Sequence, residues 1–460
     1  MGLHTMTASP TLAAIRFGTG LRPGQNAPDP GALLTGLGGA DTLQQRYPQD
    51  SYATRIALGR ELTRLNRSRR DSDEADAAFL EARRQLSRDV LRQLAITLAR
   101  GVAAEGGAAL RERLVWFWAD HFTTVGGRSY MRGSIAAYVD DTIRPHVAGR
   151  FSDMLEAAIL HPIMVLYLDQ ERSYGPNSIT GQRRGASLNE NLARELLELH
   201  TLGVGSGYTQ DDVRQMAELL TGIGVTGEGE LAFRPNNAEP GPEVILGHSF
   251  GGAPVADLSE IRAALRALSL RPETARHISG KLADYFLSDT PDPDVVADMA
   301  AVWMDTGGDL AQVIGAMLAQ PSAWAPGPGR VKRPLHFIAS GLRALDIPAD
   351  RIASASANAV NRIASLPMAA MGQAWQQAAG PDGYFDDDRE WIRPQSLAAR
   401  IGWAMVAPAE LRPRLPDPRV FVQGALSDAA PPDLIRAAAR AETRAEGIGL
   451  VLASPEFQRS

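Results

Sequence analysis

A pair of carboxylates on one predicted helix is the feature of this sequence best suited to chemistry. Successive residues of an α-helix lie about 100° apart, which places Glu195 and Glu198 with Asn191 along one edge of an apolar stripe in the segment 189–203. Two carboxylates beside an apolar wall have a raised proton affinity, so they can act as acid and base or bind a hard divalent metal ion. We therefore predict Glu195 and Glu198 as catalytic residues.

Other polar residues of this helix face different directions. His200 falls roughly 140° from Glu195 at the same spacing, so an unbroken helix excludes a metal site built from this helix alone. Glu190 and Arg194 are four residues apart with the acid first, an order that favours a surface ion pair. Partners for the carboxylate pair must therefore come from other elements.

His121 is the best candidate for such a partner, because it ends an aromatic helix beside the polar turn at 123–124. We predict it as a second base or a metal ligand. Asp169, which follows an apolar run, is the candidate third carboxylate. The predicted metal ligands are thus Glu195, Glu198, His121 and Asp169, and the residues predicted to bind an anionic or amide substrate are Asn191, Arg194, Arg234 and Asn236.

A structural interpretation of the same residues is also open. Asn191, Glu195 and Glu198 could form an edge of buried hydrogen bonds that ties their helix to neighbouring loops. A lone histidine such as His121 is commonly a core or capping residue. Turn chemistry is sufficient to explain the segment 234–237.

Composition excludes several classes of function. With 47 basic and 53 acidic residues and a net charge of -6, the chain of 460 residues lacks the basic footprint of nucleic-acid binding. The absence of cysteine excludes disulfides, thiolate metal sites and a cysteine nucleophile. The sequence has no P-loop, dinucleotide fingerprint, Gly-x-Ser-x-Gly elbow or His-Glu-x-x-His pair, so we expect no nucleotide cofactor; a divalent metal stays open.

The sequence also bears on location. No run of about eighteen uncharged apolar residues occurs, so we predict no transmembrane helix. Residues 1–16 lack the continuous apolar core of a signal peptide. We expect a cytoplasmic location by default, and a periplasmic one only if a partner carries the chain out.

Apolar residues recur at helical spacing through most of the chain, for example over 71–100, which predicts a mainly α, large multi-helix body. The period changes between 222 and 252, where short apolar runs are separated by proline, glycine and asparagine. This pattern predicts a small β-hairpin or ordered loop inserted around 228–250.

The domain prediction is an extended N-terminal wrap over 1–50, rich in glycine and proline, and a single large helical domain over 51–460 with a subdivision near 222–255 as an option. The three aspartates at 386–388 lack the ligand spacing of an EF-hand and predict a solvated acidic loop.

Short motifs spread over nearly the whole chain carry a resemblance to a known bacterial family. They are AIRFGTG at 14–20, FWADHF at 117–122, the segment 189–203 followed by GYT and LLTG, ILG at 245–247, KRPL at 332–335 and LASPEFQ at 452–458. In these segments the chain resembles the family catalogued as domain of unknown function 1800. The aromatic helix of that family usually reads FWHNHF, whereas this chain has Ala119 and Asp120, so the first histidine is missing here.

The resemblance implies a large, mainly helical body and no assigned reaction. It also suggests a partner, because such proteins are commonly encoded beside a sulfatase-like or phosphatase-like protein of the family numbered 1501. Two functions follow. One is an enzyme with a polar pocket between the helix that ends at His121 and the helix of Glu195 and Glu198. The other is a non-catalytic binding or maturation partner of that neighbouring protein.

Overall fold

The computed structural model describes residues 9–25, 28–126, 131, 133–185, 187–252, 254–327 and 329–460. Within these residues the fold is mainly α, as predicted, and the only sheets are two that have two strands each. None of the helices in this part of the chain combines the length and apolarity that a membrane span needs.

The first half of the chain contains the helices Pro10–Leu12, Ala13–Phe17, Ala32–Leu37, Thr42–Arg46, Tyr52–Ser68, Asp73–Ala103, Gly106–His121, Ile135–Tyr138, Val139–Ile143, Arg144–His146, Phe151–Ile159, Pro162–Tyr167, Gln170–Arg172, Ile179–Arg184, Asn191–Glu195, Leu196–His200 and Gln210–Leu219. Among these, the segments 13–17, 139–143 and 196–200 are π-helical turns, and 144–146 and 170–172 are short 3₁₀ segments.

The second half contains the helices Pro235–Asn237, Leu258–Ser269, Pro272–Phe286, Pro293–Thr306, Leu310–Ala319, Pro321–Trp324, Pro334–Ala344, Ala349–Ala353, Ala357–Val360, Asn361–Ser365, Leu366–Ala370, Asp388–Trp391, Pro394–Leu411, Pro418–Leu426, Ser427–Ala429, Pro432–Arg440, Arg444–Ala453 and Pro455–Gln458. Among these, the segment 361–365 is a π-helical turn, and 235–237, 321–324 and 427–429 are 3₁₀ segments.

Local sequence explains where many of these helices begin. Ser72 caps the longest one, with its side chain accepting from the backbone N–H of Ala75. Thr209 and Asp212 form a reciprocal capping box at the start of Gln210–Leu219. Proline occupies the first helical position in several of the later helices, where its missing N–H costs nothing.

The predicted β insertion exists, but its pairing differs from a single hairpin. Leu231–Phe233 pairs antiparallel with Ile223–Val225, and Glu243–Ile245 pairs antiparallel with His248–Phe250. The two apolar runs identified from the sequence therefore belong to separate hairpins. Each run finds its partner across its own short turn, as short antiparallel strands commonly do.

The N-terminal segment also differs from an extended wrap without elements of its own. It contains the helical turns Pro10–Leu12 and Ala13–Phe17 and the short helices Ala32–Leu37 and Thr42–Arg46. Ser9 and Pro10 supply a cap and a helical first position. Phe17 is fully buried, so this segment is part of the core. The division of the chain into domains stays a prediction.

Two hydrophobic clusters form the interior. One is built mainly from residues 110–324, and the other from residues 91–109 and 335–457. The helix Gly106–His121, which we call the aromatic helix, contributes to both, because Leu114 and Trp118 lie in the first cluster and Ala109 in the second. This helix therefore lies between the two clusters, and its half-buried residues can line a space between them.

Candidate functional site

The carboxylate pair lies on a helix whose last turn is loosened. Residues 191–200, which we call the polar helix, begin as an α-helix and end in the π-helical turn Leu196–His200. Glu195 and Glu198 are both half-buried on it. Burial raises the pKa of Glu195, and the charges of Glu198 and Asp382 raise it further. Glu198 lies 3.4 Å from Arg194.

The structure brings groups near Glu195 that the sequence did not predict. Asp382 comes from a distant loop, and its charge and that of Glu195 act on Tyr167, whose pKa is raised to about 12, chiefly by burial. Tyr208 lies beside Glu198 and is hydrogen-bonded to it. The carboxylate pair thus stands beside a third carboxylate and two phenols.

His121 lies in the interior instead. Its side chain is 4% exposed, and its Nε2 lies 3.3 Å from the carbonyl oxygen of His200. The rings of His121 and His200 have centroids 5.8 Å apart, and Phe122 packs against both. Burial holds the pKa of His121 well below its ordinary value. The polar helix and the aromatic helix therefore meet, but through packed rings.

The remaining predicted residues occupy separate places. Asn191 is exposed at the start of the polar helix. Arg194 lies 2.9 Å from Glu190, the surface pair that the sequence predicts. Asp169 has a left-handed backbone, and its carboxylate lies 3.6 Å from Arg172.

The hairpin residues predicted to bind substrate lie at another edge. Arg234 donates from Nη2 to the carbonyl oxygen of Val225 at 2.7 Å, which braces the first hairpin. Asn236 is exposed in the turn Pro235–Asn237. Across the described ranges, no group of three or more histidine, aspartate or glutamate side chains is arranged to hold a metal ion. The catalytic, substrate and metal assignments stay predictions.

A polar and aromatic site lies on the face of the aromatic helix opposite His121. Trp116, Ala119, Asp120 and Thr123 follow helical spacing and line a cleft of about 110 Å³. We call it the cleft. Its other walls come from segments far away in the sequence: 135–144, 333–336 and 373–384.

Asp120 connects the aromatic helix to two of these segments. Its Oδ2 accepts from Arg333, and its Oδ1 accepts from the backbone N–H of Tyr384 at 2.9 Å. Arg333 also pairs with Asp386 at 2.7 Å. Burial alone would lower the pKa of Arg333, but Asp120 and Asp386 raise it, so this arginine is held charged. The Asp120 carboxylate is thereby fully used in holding the wall of the cleft.

The acidic run at 386–388 therefore differs from a solvated loop. Asp388 is buried and pairs with Arg330, while Asp386 pairs with Arg333. The interior arginines explain the difference, because buried guanidinium groups need carboxylate partners.

The floor of the cleft carries paired charges. Arg100 makes two hydrogen bonds to Asp140, at 2.6 and 2.7 Å. Arg144 makes two to Glu112, at 2.6 and 2.9 Å, and also lies 3.3 Å from Asp140. Because each cation has a carboxylate partner, this network holds the helices together and leaves no free charge for a ligand.

Three residues that line the cleft each carry a hydrogen-bond donor that has no partner in the described part of the chain. These donors are the indole Nε1 of Trp116, the indole Nε1 of Trp375 and the hydroxyl of Thr124, and all three atoms are buried. Apolar residues such as Val139 and Leu335 belong to the same lining. Buried donors are normally satisfied, so their concentration in one cleft marks a place for acceptor atoms.

The sequence contained part of this site. The spacing of Trp116, Ala119, Asp120 and Thr123 at i, i+3, i+4 and i+7 is a readable polar face opposite the face of His121. Trp375 and Tyr384 had no such signal, because they lie in a loop without helical period and reach the cleft only through the fold.

Comparison with known proteins gives a family and no function. The family described as protein of unknown function, DUF1800, matches residues 13–459. No curated protein and no solved structure matches the chain. The segments at 117–122 and 332–335, joined by the Asp120–Arg333 ion pair at the cleft, both lie within the matched range. The chain belongs to the DUF1800 family.

Proposed function

We propose that the protein binds a small organic molecule in the cleft, one with a flat apolar body and hydrogen-bond acceptors. The carrying observation is the set of three buried donors, on Trp116, Thr124 and Trp375, that have no partner among the described residues, in a lining that also contains apolar side chains such as Val139 and Leu335. A carbonyl, ether or hydroxyl oxygen placed there would accept these bonds, and the tryptophan rings would cover the flat body. The paired charges of the cleft argue against a highly charged ligand.

A titration with coumarin tests this proposal, because coumarin is a flat lactone with two acceptor oxygens. We expect saturable quenching of tryptophan fluorescence. Trp116→Phe and Trp375→Phe keep an aromatic ring but remove the donor, so each should weaken binding by roughly 10-fold. Ala119→Phe should fill the cleft and abolish saturation.

Trp324→Phe is the matched control. Its indole N–H already donates to the carbonyl oxygen of Leu318 at 2.7 Å and lies outside the cleft. This variant should lose stability but keep its affinity for coumarin. Equal affinities in Trp116→Phe, Trp375→Phe and Trp324→Phe would contradict the proposal, as would quenching that never saturates.

An acid–base function at Glu195 is the second candidate. It is favoured by the raised pKa of Glu195 beside Glu198 and Asp382. Glu195→Gln removes the titrating proton and keeps the shape, so a cellular phenotype that survives this substitution would sink the enzyme hypothesis. Glu190→Gln, on the same helix but in the surface pair with Arg194, is its control. Docking to a protein of the family numbered 1501 stays a prediction from the resemblance.

A further inference from the structure

A second, smaller cavity lies behind the wall that Tyr285, Arg333 and His336 share with the cleft. It has room for about one water-sized particle. Four cationic side chains line it, those of Arg113, Arg330, Lys332 and Arg333.

Two of these cations already have carboxylate partners. Arg330 lies 3.2 Å from Asp284 and 3.3 Å from Asp388, and Arg333 pairs with Asp120 and Asp386. They are neutralised without any guest in the cavity.

The other two have none within the described residues. Arg113 donates to the backbone carbonyl oxygens of Arg16 and Gly18 at 3.1 and 3.0 Å. Lys332 donates to the carbonyl oxygen of Phe457 at 2.8 Å and lies 4.4 Å from the centre of the Phe457 ring. Both side chains are 2% exposed. Buried cations satisfied by neutral groups alone are costly, because no opposite charge offsets their desolvation.

One neighbouring cation, Arg400, adds to this positive charge, and the nearby His336 adds none. Arg400 is fully buried close by, and its donors bind the carbonyl oxygens of Trp391 and Lys332 and the side chain of Gln458. His336 lies 3.3 Å from Arg113, and burial together with Arg113 and Lys332 holds its pKa well below the ordinary value, so the ring is neutral.

We infer that the cavity binds one monatomic anion of the size of chloride or bromide, between Arg113 and Lys332. A halide supplies the missing negative charge in a small volume, whereas phosphate, sulfate and organic carboxylates are much larger than a space for about one water. The inference is independent of the ligand proposed for the cleft.

Thermal unfolding in sodium chloride against sodium gluconate at equal ionic strength tests this inference. Gluconate cannot enter the cavity, so chloride should give a saturable rise in Tm of roughly 2 °C or more. Lys332→Met should lose this response. Lys281→Met is the matched control, because Lys281 is the only other lysine and does not line the cavity; it should keep the response.

Crystals grown in sodium bromide provide a test that does not depend on a variant folding. We expect an anomalous peak between Arg113 and Lys332. No peak, or a Tm that is equal in chloride and gluconate, would overturn the inference and would mean that the cations are balanced by groups of the protein itself. A chloride response that persists in Lys332→Met would overturn it as well.

Discussion

Arg144 and Lys332 are both buried cations, but their surroundings differ. Arg144 contacts Glu112, Asp140 and Asp41 under the cleft, while Lys332 contacts a carbonyl oxygen and an aromatic ring. Carboxylate partners offset the desolvation of a buried cation, whereas a buried cation without such a partner lowers the stability of the fold. The first arrangement is typical of a structural network and the second of a site with a missing partner.

The largest expected effect comes from breaking the paired group. Glu112 is fully buried, so Glu112→Gln leaves Arg144 short of a full negative charge and should lower the free energy of unfolding by about 3 to 5 kcal/mol. Urea unfolding measures it. Glu228→Gln is the control, since Glu228 and Arg60 form an exposed pair 3.8 Å apart that should contribute under about 1 kcal/mol. Similar losses in both variants would remove the distinction.

The next effect concerns His200, a buried histidine that is neutral in the folded protein at pH 7. Burial, Lys281 and His277 lower the pKa of His200 to about 3, below the value of about 6.5 expected in the unfolded chain. Between these values the unfolded state binds the extra proton, so the stability contributed by neutral His200 is complete above pH 6.5 and is lost as the pH falls towards 3.

His200→Leu should remove this part of the acid sensitivity. At pH 4.5 the variant should retain about 2 kcal/mol more of its pH 7 stability than the wild-type protein does. Urea unfolding at both pH values measures this difference. His248→Leu, at an exposed position of the second hairpin, is the control and should leave the pH dependence unchanged. Parallel pH profiles for wild type and His200→Leu would contradict the prediction.

Removing the unpaired cation should stabilise the protein. In gluconate at pH 7, Lys332→Met should raise the free energy of unfolding by about 1 kcal/mol, because methionine fills the space without a buried charge. Burial, Arg113 and Arg400 lower the pKa of Lys332 to about 7, whereas the unfolded value is about 10.4.

The pH dependence gives the sign of this effect. Between pH 7 and 10.4 the unfolded chain binds more protons at this lysine, so wild-type stability should rise with pH relative to Lys332→Met. Denaturant unfolding at pH 7 and pH 9.5 measures the difference between the two proteins. If the stability advantage of Lys332→Met over the wild-type protein grew with pH, the pKa of Lys332 would not be lowered in the folded protein and the prediction would be wrong.

The smallest expected effect concerns unpaired donors rather than charges. Trp116→Phe removes an indole N–H that has no partner among the described residues, so without ligand it should change stability by under about 0.5 kcal/mol. Trp403→Phe removes an indole N–H that donates to the carbonyl oxygen of Ile363 at 2.8 Å, and it should cost about 1 kcal/mol or more. Thermal unfolding of the two variants checks the order, and a reversed order would argue that Trp116 is satisfied in solution.

The sequence predicted much of the fold because helical periodicity is local. The helix expected over 71–100 is present as Asp73–Ala103. Hairpin pairing was harder, since the strands of three residues carry little pattern. The loosened turn Leu196–His200 had no sequence signal, because its residues are ordinary helix formers.

Only part of the cleft could be predicted from the sequence, because helical spacing relates residues of one helix and not residues of distant segments. The positions of Asp120 and Trp116 on one helical face follow from spacing, but their partners Arg333 and Tyr384 lie more than 200 residues away. The interior lysine was equally hidden, because a lysine in the KRPL motif reads as a surface residue unless its burial is known.

The Asp120 carboxylate has a consequence for the rates at which molecules enter and leave the cleft. One oxygen holds Arg333 and the other holds Tyr384, while Gly383 packs so closely that a Cβ there would lie 2.6 Å from Oδ1. Displacing the loop that contains Tyr384 therefore breaks its bond to Asp120 and also separates Asp386 from Arg333, while the Asp120–Arg333 pair stays in place. We expect these loop contacts to set the activation barrier for exchange in the cleft.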